Sequence, residues 1–151
     1  MRKYALALCL SASLAPAALA DNLALVAKKS PHDAAATVAR IEAAIAKRGA
    51  TLVAKVDHAG AAKANGLELA PNTVVIFGNP KLGTALMQSS PTAGLDLPMR
   101  VLVWQDAAGA VMVGYWPPAR LAQTHGIEDR EQVVKTMTGA LDAITNEAIA
   151  R

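Results

Sequence analysis

The stretch "FGNPKLGTALM", Phe77 to Met87, decides how this chain folds. An apolar run, "TVVIF", stops at Gly78, passes through Asn79-Pro80-Lys81 and resumes as an apolar segment. Gly78 lets a strand turn sharply. Asn79 suits a helix cap, and Pro80 suits the first helical turn, where its missing N–H costs nothing. The stretch therefore predicts a strand delivered straight into a short helix. It has two uses. Free N–H groups at the helix start, the ammonium of Lys81 and a second glycine, Gly83, form a candidate seat for a carboxylate or phosphate. The same residues also serve as a capped reversal with Lys81 in water. The spacing is not that of a phosphate-binding loop, which ends in Gly-Lys-Ser/Thr.

On either side the chain alternates between strand and helix patterns. "TVVIF", "RVLVW" and "AVMVGYW" are apolar on both faces, and "QDAAG" joins the last two as a hairpin loop with Gly109 at a position suited to positive φ. "TLVAKVDH" alternates with period two, which places Leu52, Ala54, Val56 and His58 on one face. "NLALVA", Asn22 to Ala27, reads as a short first strand. Ser30-Pro31-His32-Asp33 reads as a helix start with Ser30 as N-cap, and Gly49 ends that helix. A short helix is expected in "AGAAKANG" and another in "PPARLAQTHG", and a long amphipathic one from Asp129 to Ile149. Long helices at both ends of a largely hairpin-connected sheet predict an α+β two-layer sandwich, its sheet mixed or antiparallel and its helices mainly on one face. In such a fold, Val75, Phe77, Val101, Val103, Val111 and Val113 cannot share the covered side with their apolar neighbours. Either a loop such as "SSPTAGLDLP" or a second copy is expected on the other face, and a homodimer is the resulting partner expectation.

Residues 1–20 read as an export signal. Arg2 and Lys3 precede the eleven-residue apolar run "YALALCLSASL", Pro16 comes next, and Ala18-Leu19-Ala20 offers small residues at the cleavage positions. The expected product is one domain, residues 21–151, periplasmic or secreted, with no stable membrane insertion. Loss of Arg2 and Lys3 takes the basic count from 15 to 13 against 12 acidic residues, a net charge of +1, and aromatics make up 3% of the chain. That composition argues against a nucleic-acid surface. Cys9 departs with the leader, which excludes disulfides and thiolate chemistry from the product.

Asp57-His58, Phe77-Gly-Asn-Pro-Lys-Leu-Gly-Thr84, Leu86-Met87, Pro91, Leu95-Asp-Leu-Pro98 and Tyr115 together resemble the signature of the domain of unknown function 302 family. The resemblance runs through nearly all of residues 21–151. It implies a small α+β domain, often exported, and supplies a fold without a reaction. Trp116-Pro117-Pro118 departs from the more polar stretch expected before the short helix.

Six residues are candidates for a ligand site: His58, Asn79, Lys81, Gly83, Asp96 and Tyr115. His58, at a strand end, suits acid–base work or a neutral hydrogen-bonding role. Asp96 lies between Leu95 and Leu97 and is expected to meet a backbone donor, Lys81 or His58. Tyr115 offers a hydroxyl or packs as a sheet aromatic. Met87, Met99, Met112 and Met137 with His58 and His125 raise a Cu(I) reading, set against ordinary core packing. No nucleophile elbow, paired glutamate, HExxH or dinucleotide turn appears, so no catalytic residue, metal or cofactor is assigned. The sequence thus predicts an exported domain that binds a small anionic ligand or a protein partner. A homodimerisation module, a His/Asp enzyme and a Cu(I) protein are the alternatives.

Overall fold

A computed structural model describes residues 23–151, so the leader read at residues 1–20 lies outside the described residues. Five strands form one sheet: β1 (Val26–Lys29), β2 (Thr51–Asp57), β3 (Asn72–Gly78), β4 (Met99–Gln105) and β5 (Val111–Tyr115). Their spatial order is β1-β5-β4-β3-β2, and every neighbouring pair is antiparallel. Five helices accompany them: α1 (Ala34–Lys47), α2 (His58–Ala64), α3 (Pro80–Ser89), α4 (Pro118–Thr124) and α5 (Glu131–Ile149). A 3-10 turn, Pro91–Leu95, links α3 to β4. This is the α+β sandwich that the patterning predicts.

The sheet separates its apolar residues by strand alternation. Val75, Phe77, Val101, Val103, Val113 and Tyr115 face α1 and α5 and are buried. Against them lie Ile41 and Ile45 of α1 and Leu141, Ile144 and Ala148 of α5. Full burial of each such large aliphatic side chain contributes about 1.5–3 kcal/mol. The intervening residues, Val74, Ile76, Leu102, Trp104 and Met112, lie on the open face and are half-buried. A second cluster, Leu86, Ala93, Leu121, Ile127 and Met137, ties α3, the 3-10 turn and α4 to the first half of α5.

Three local expectations change. Asn22 lies outside the described residues, residues 23–25 are not strand, and β1 begins at Val26, its hydrogen bonding continuing through Ser30, whose N–H donates to the carbonyl of Val111 at 2.8 Å. Ser30 is therefore still extended, and Asp33 caps α1 by accepting from the N–H of Ala36 at 2.7 Å. The Ser30 hydroxyl is 2.8 Å from that of Thr37, so both buried groups are satisfied. Strand β2 carries a bulge between Leu52 and Ala54. Leu52 pairs with Phe77, whereas Ala54 and Val56 pair with Ile76 and Val74. One extra residue, Val53, thus moves Leu52 to the helix side and Ala54 and Val56 to the open side. The single face assigned to Leu52, Ala54, Val56 and His58 does not exist, and His58 has left the strand to open α2.

Candidate functional site

Two clefts contain candidate residues. The larger, about 520 Å³, opens where the open sheet face meets α4. Val74, Leu102 and Gly114 of the open face line it, together with Met99, Leu121, Trp116 and Pro117. Asp96, Arg100, Arg120 and Thr124 supply the polar atoms. The smaller, about 310 Å³, lies beside the strand-to-helix reversal and includes Asn79, Pro80, Gly83, Met87 and Leu97.

The six sequence candidates do not meet in one pocket. Asn79 and Gly83 line the smaller cleft, Asp96 and Tyr115 line the larger, and His58 and Lys81 line neither. The β2–β3 register explains the separation. Asp57 pairs with Thr73 at one end of the hairpin and Thr51 with Gly78 at the other. His58 and Asn79 therefore sit at opposite ends of about 17 Å of strand. The side chain of Asn79 caps α3 by accepting from the N–H of Lys81 at 3.0 Å.

Asp96 is held by partners that the sequence pattern does not reveal. One carboxylate oxygen accepts from Arg100 at 3.3 Å and the other lies 2.9 Å from Nε2 of His125. His125 Nδ1 lies 3.0 Å from the Thr92 hydroxyl, which is 3.1 Å from that of Ser90. With the imidazole neutral, the carboxylate fixes the N–H on Nε2, and Thr92 then donates to Nδ1. The His125 side chain is 7% exposed. The relay fastens the 3-10 turn to the end of α4, and neither oxygen of Asp96 is left unpaired.

Tyr115 turns its hydroxyl away from the cleft. It donates to Asp142 of α5 at 2.6 Å, and Lys28 of β1 donates to the same oxygen at 2.9 Å. Lys28 also reaches Thr145 and Asn146, each at 2.8 Å. Burial, and then the bond to the Asp142 carboxylate, raise the phenol well above the ordinary tyrosine range. The Tyr115 bond, together with that of Lys28, holds Asp142 below the usual carboxylate range. The network joins β1 and β5 to α5.

The larger cleft is left with a positive rim. The Arg120 guanidinium stacks over the Trp116 ring, 3.7 Å from its centroid, and makes no ion pair among the described residues. Arg100 shares only its bond to Asp96. Arg120 and Trp116 come from "WPPAR", where the sequence departs from the expected polar stretch. That departure was the available signal for this site. The pairing of Asp96 with His125, 29 residues away, carried none.

Residues 26–144 match the family described as Domain of unknown function DUF302, and the chain belongs to that family. Its fold is similar to the crystal structure of an uncharacterized conserved DUF302 protein from Bacillus stearothermophilus, with a TM-score of 0.75 and 16% identity. That match covers 82% of this chain and 97% of the other. "Fluoride-specific ion channel FluC 1" of Brucella suis biovar 1 (strain 1330) is 40% identical over 134 residues, covering 88% of this chain and 53% of that protein. "Fluoride-specific ion channel FluC 1" of Brucella abortus biovar 1 (strain 9-941) is 40% identical over 134 residues, covering 88% and 50%. The chain spans about half the length of these curated relatives.

These relatives overturn the functional expectation. The sequence pointed to a domain binding a small anionic ligand or protein partner, with homodimerisation, His/Asp catalysis or Cu(I) binding as alternatives, whereas the relatives carry the name of an ion channel. A domain's own residues report its packing, and they do not report the protein in which it works. The histidine of the catalytic alternative is also not at Asp96, which pairs with His125. The methionines of the copper alternative are spread over α3, β4, β5 and α5.

Proposed function

We propose that this DUF302 chain is an extramembrane component of fluoride handling that works beside a fluoride-specific channel without forming the conducting path. The observation that carries the reading is the 40% identity over 134 residues to about half of proteins named as such channels. Ion conduction through an α-helical channel requires membrane-crossing helices. Among the described residues no helix is long and apolar enough to cross a membrane. The reading therefore assigns conduction to the half of those relatives that this chain does not match. It also takes residues 1–20 as an export leader and puts the domain in the periplasm or outside the cell.

The test uses the Brucella suis relative, whole and with the matching half deleted, in cells sensitive to fluoride. The whole protein should protect the cells, the shortened one less well, and this chain supplied separately should restore the difference. Fluoride efflux from proteoliposomes containing each form reports the same comparison without the cell. Equal protection and equal efflux with and without the matching half would reject an accessory role in fluoride handling. Complete loss of efflux that this chain cannot restore would reject the claim that conduction lies wholly in the other half.

A further inference from the structure

We infer that the rim of the larger cleft is a docking surface for an anionic lipid bilayer, with Trp116 and Leu25 entering the headgroup boundary and Arg120 and Arg100 among the lipid phosphates. Both apolar side chains line the cleft and are exposed, Trp116 by 51% and Leu25 by 44%. Leu95, next to Asp96, is 81% exposed. Water is a poor environment for the exposed Trp116 and Leu25 side chains, and an indole stacked by an arginine suits the level of lipid headgroups. Arg120 is stacked on that indole, so its charge is carried at the same height.

Charge decides between occupants. Both oxygens of Asp96 are engaged, by Arg100 and His125, so the lining holds no unpaired carboxylate, and its net charge is the +1 of Arg120, which makes no ion pair among the described residues. A second copy docked about a twofold axis through this rim would bring Arg120 towards its own counterpart, and like charges in a partly desolvated contact repel. Nucleic acid would be expected to use several aromatics or a longer basic stripe. A negatively charged, half-apolar surface satisfies both the cations and the exposed side chains. The inference goes beyond the fluoride reading, and its test involves no fluoride.

The strands, helices and core clusters of the described residues lie within residues 23–151, so the test uses the chain beginning at Asp21, which keeps all of them and lacks the apolar leader as a second membrane anchor. Flotation with vesicles of phosphatidylcholine alone is compared with vesicles containing phosphatidylglycerol. The protein should float with the anionic vesicles, and less so as salt is raised. Arg120→Gln and Arg100→Gln should each lower the partition coefficient about fivefold, whereas Arg120→Lys keeps the charge and most of the binding. The wild type should show a blue shift of tryptophan emission on binding. Trp116→Phe should lose that shift although Trp104 remains. Each variant is checked by thermal melting, and the two arginine positions provide independent tests should one variant fail to fold. Absence of flotation with anionic vesicles overturns the inference, as does flotation indifferent to both arginine changes. A solution dimer that buries Trp116, detected by light scattering and cross-linking, overturns it in favour of a second copy.

Discussion

Replacing Tyr115 by Phe removes one hydroxyl and leaves the ring, its burial and the nearby Lys28 ammonium in place. The lost contact is the 2.6 Å bond to Asp142, a carboxylate that keeps its 2.9 Å bond from Lys28. Hydrogen bonds to charged groups contribute about 1.5–3 kcal/mol. The Asp142 side chain is 51% exposed, so water competes for it and the lower end of that range applies. A loss of about 1.5 kcal/mol should lower Tm by about 5–7 °C for a chain of this length. Calorimetry of wild type and Tyr115→Phe at neutral pH measures it.

The pH dependence of the same bond is a sharper test. Asp142 has a depressed folded pKa, so its contribution is present above the unfolded value of about 3.9 and fades as pH falls through the folded value. Tyr115 has a raised folded pKa, so its contribution is complete below the unfolded value of about 10 and fades as pH rises through the folded value. Tyr115→Phe lacks the coupling between the two. The stability gap between wild type and variant should therefore be widest from about pH 4 to 10 and should narrow on either side. Equal Tm values at pH 7 would refute this account of the bond, as would a gap that does not narrow as pH rises above about 10.

A Cβ at Gly114 would lie 2.8 Å from the Val26 carbonyl oxygen and 2.9 Å from the Trp104 ring, so Gly114→Ala must displace both β1 and the indole or shift its own strand. Denaturant unfolding should show a loss of about 2 kcal/mol, and full retention of stability would mean that this contact relaxes freely. For export, N-terminal sequencing of protein recovered from the cell envelope should begin at Asp21, whereas recovery of an intact Met1 form would remove the leader reading.

The elements were legible wherever local chemistry decides them. Asn79-Pro80 opens α3, Gly109 has φ +80° in the β4–β5 hairpin, and the apolar stripe through Met137, Leu141 and Ile144 builds α5. Family membership was legible for the same reason, because its signature residues sit at those turns and strand ends. Long-range juxtaposition was not. The bulge at Val53 depends on how β2 meets β3, and one inserted residue reverses the face of every later residue in the strand. Asp96 had several possible partners by residue type, and only the packing of α4 against α5 brings His125 to it. Tyr115 looked available to a pocket because its position lines one, yet its hydroxyl belongs to α5.

The assignment of conduction to another half turns on composition rather than length. Helix α5 has 19 residues, which gives about 28 Å, close to the apolar thickness of a bilayer. One side of it is committed to the sheet through Leu141, Ile144 and Ala148. Elsewhere it carries Asp142, which receives Lys28 and Tyr115, and Glu147, which receives Lys47 and Arg48. Arg40 further occupies its last carbonyls, donating to Ala148 at 2.7 Å and Ala150 at 2.7 Å. Moving α5 into lipid would break these ion pairs, strip the covered face of the sheet and expose charges at a cost of several kcal/mol each. The same bonds that make this helix a structural strut therefore exclude it from a conducting path while the fold is intact. The positive, aromatic rim of the domain's larger cleft is the surface we infer to place it at the membrane.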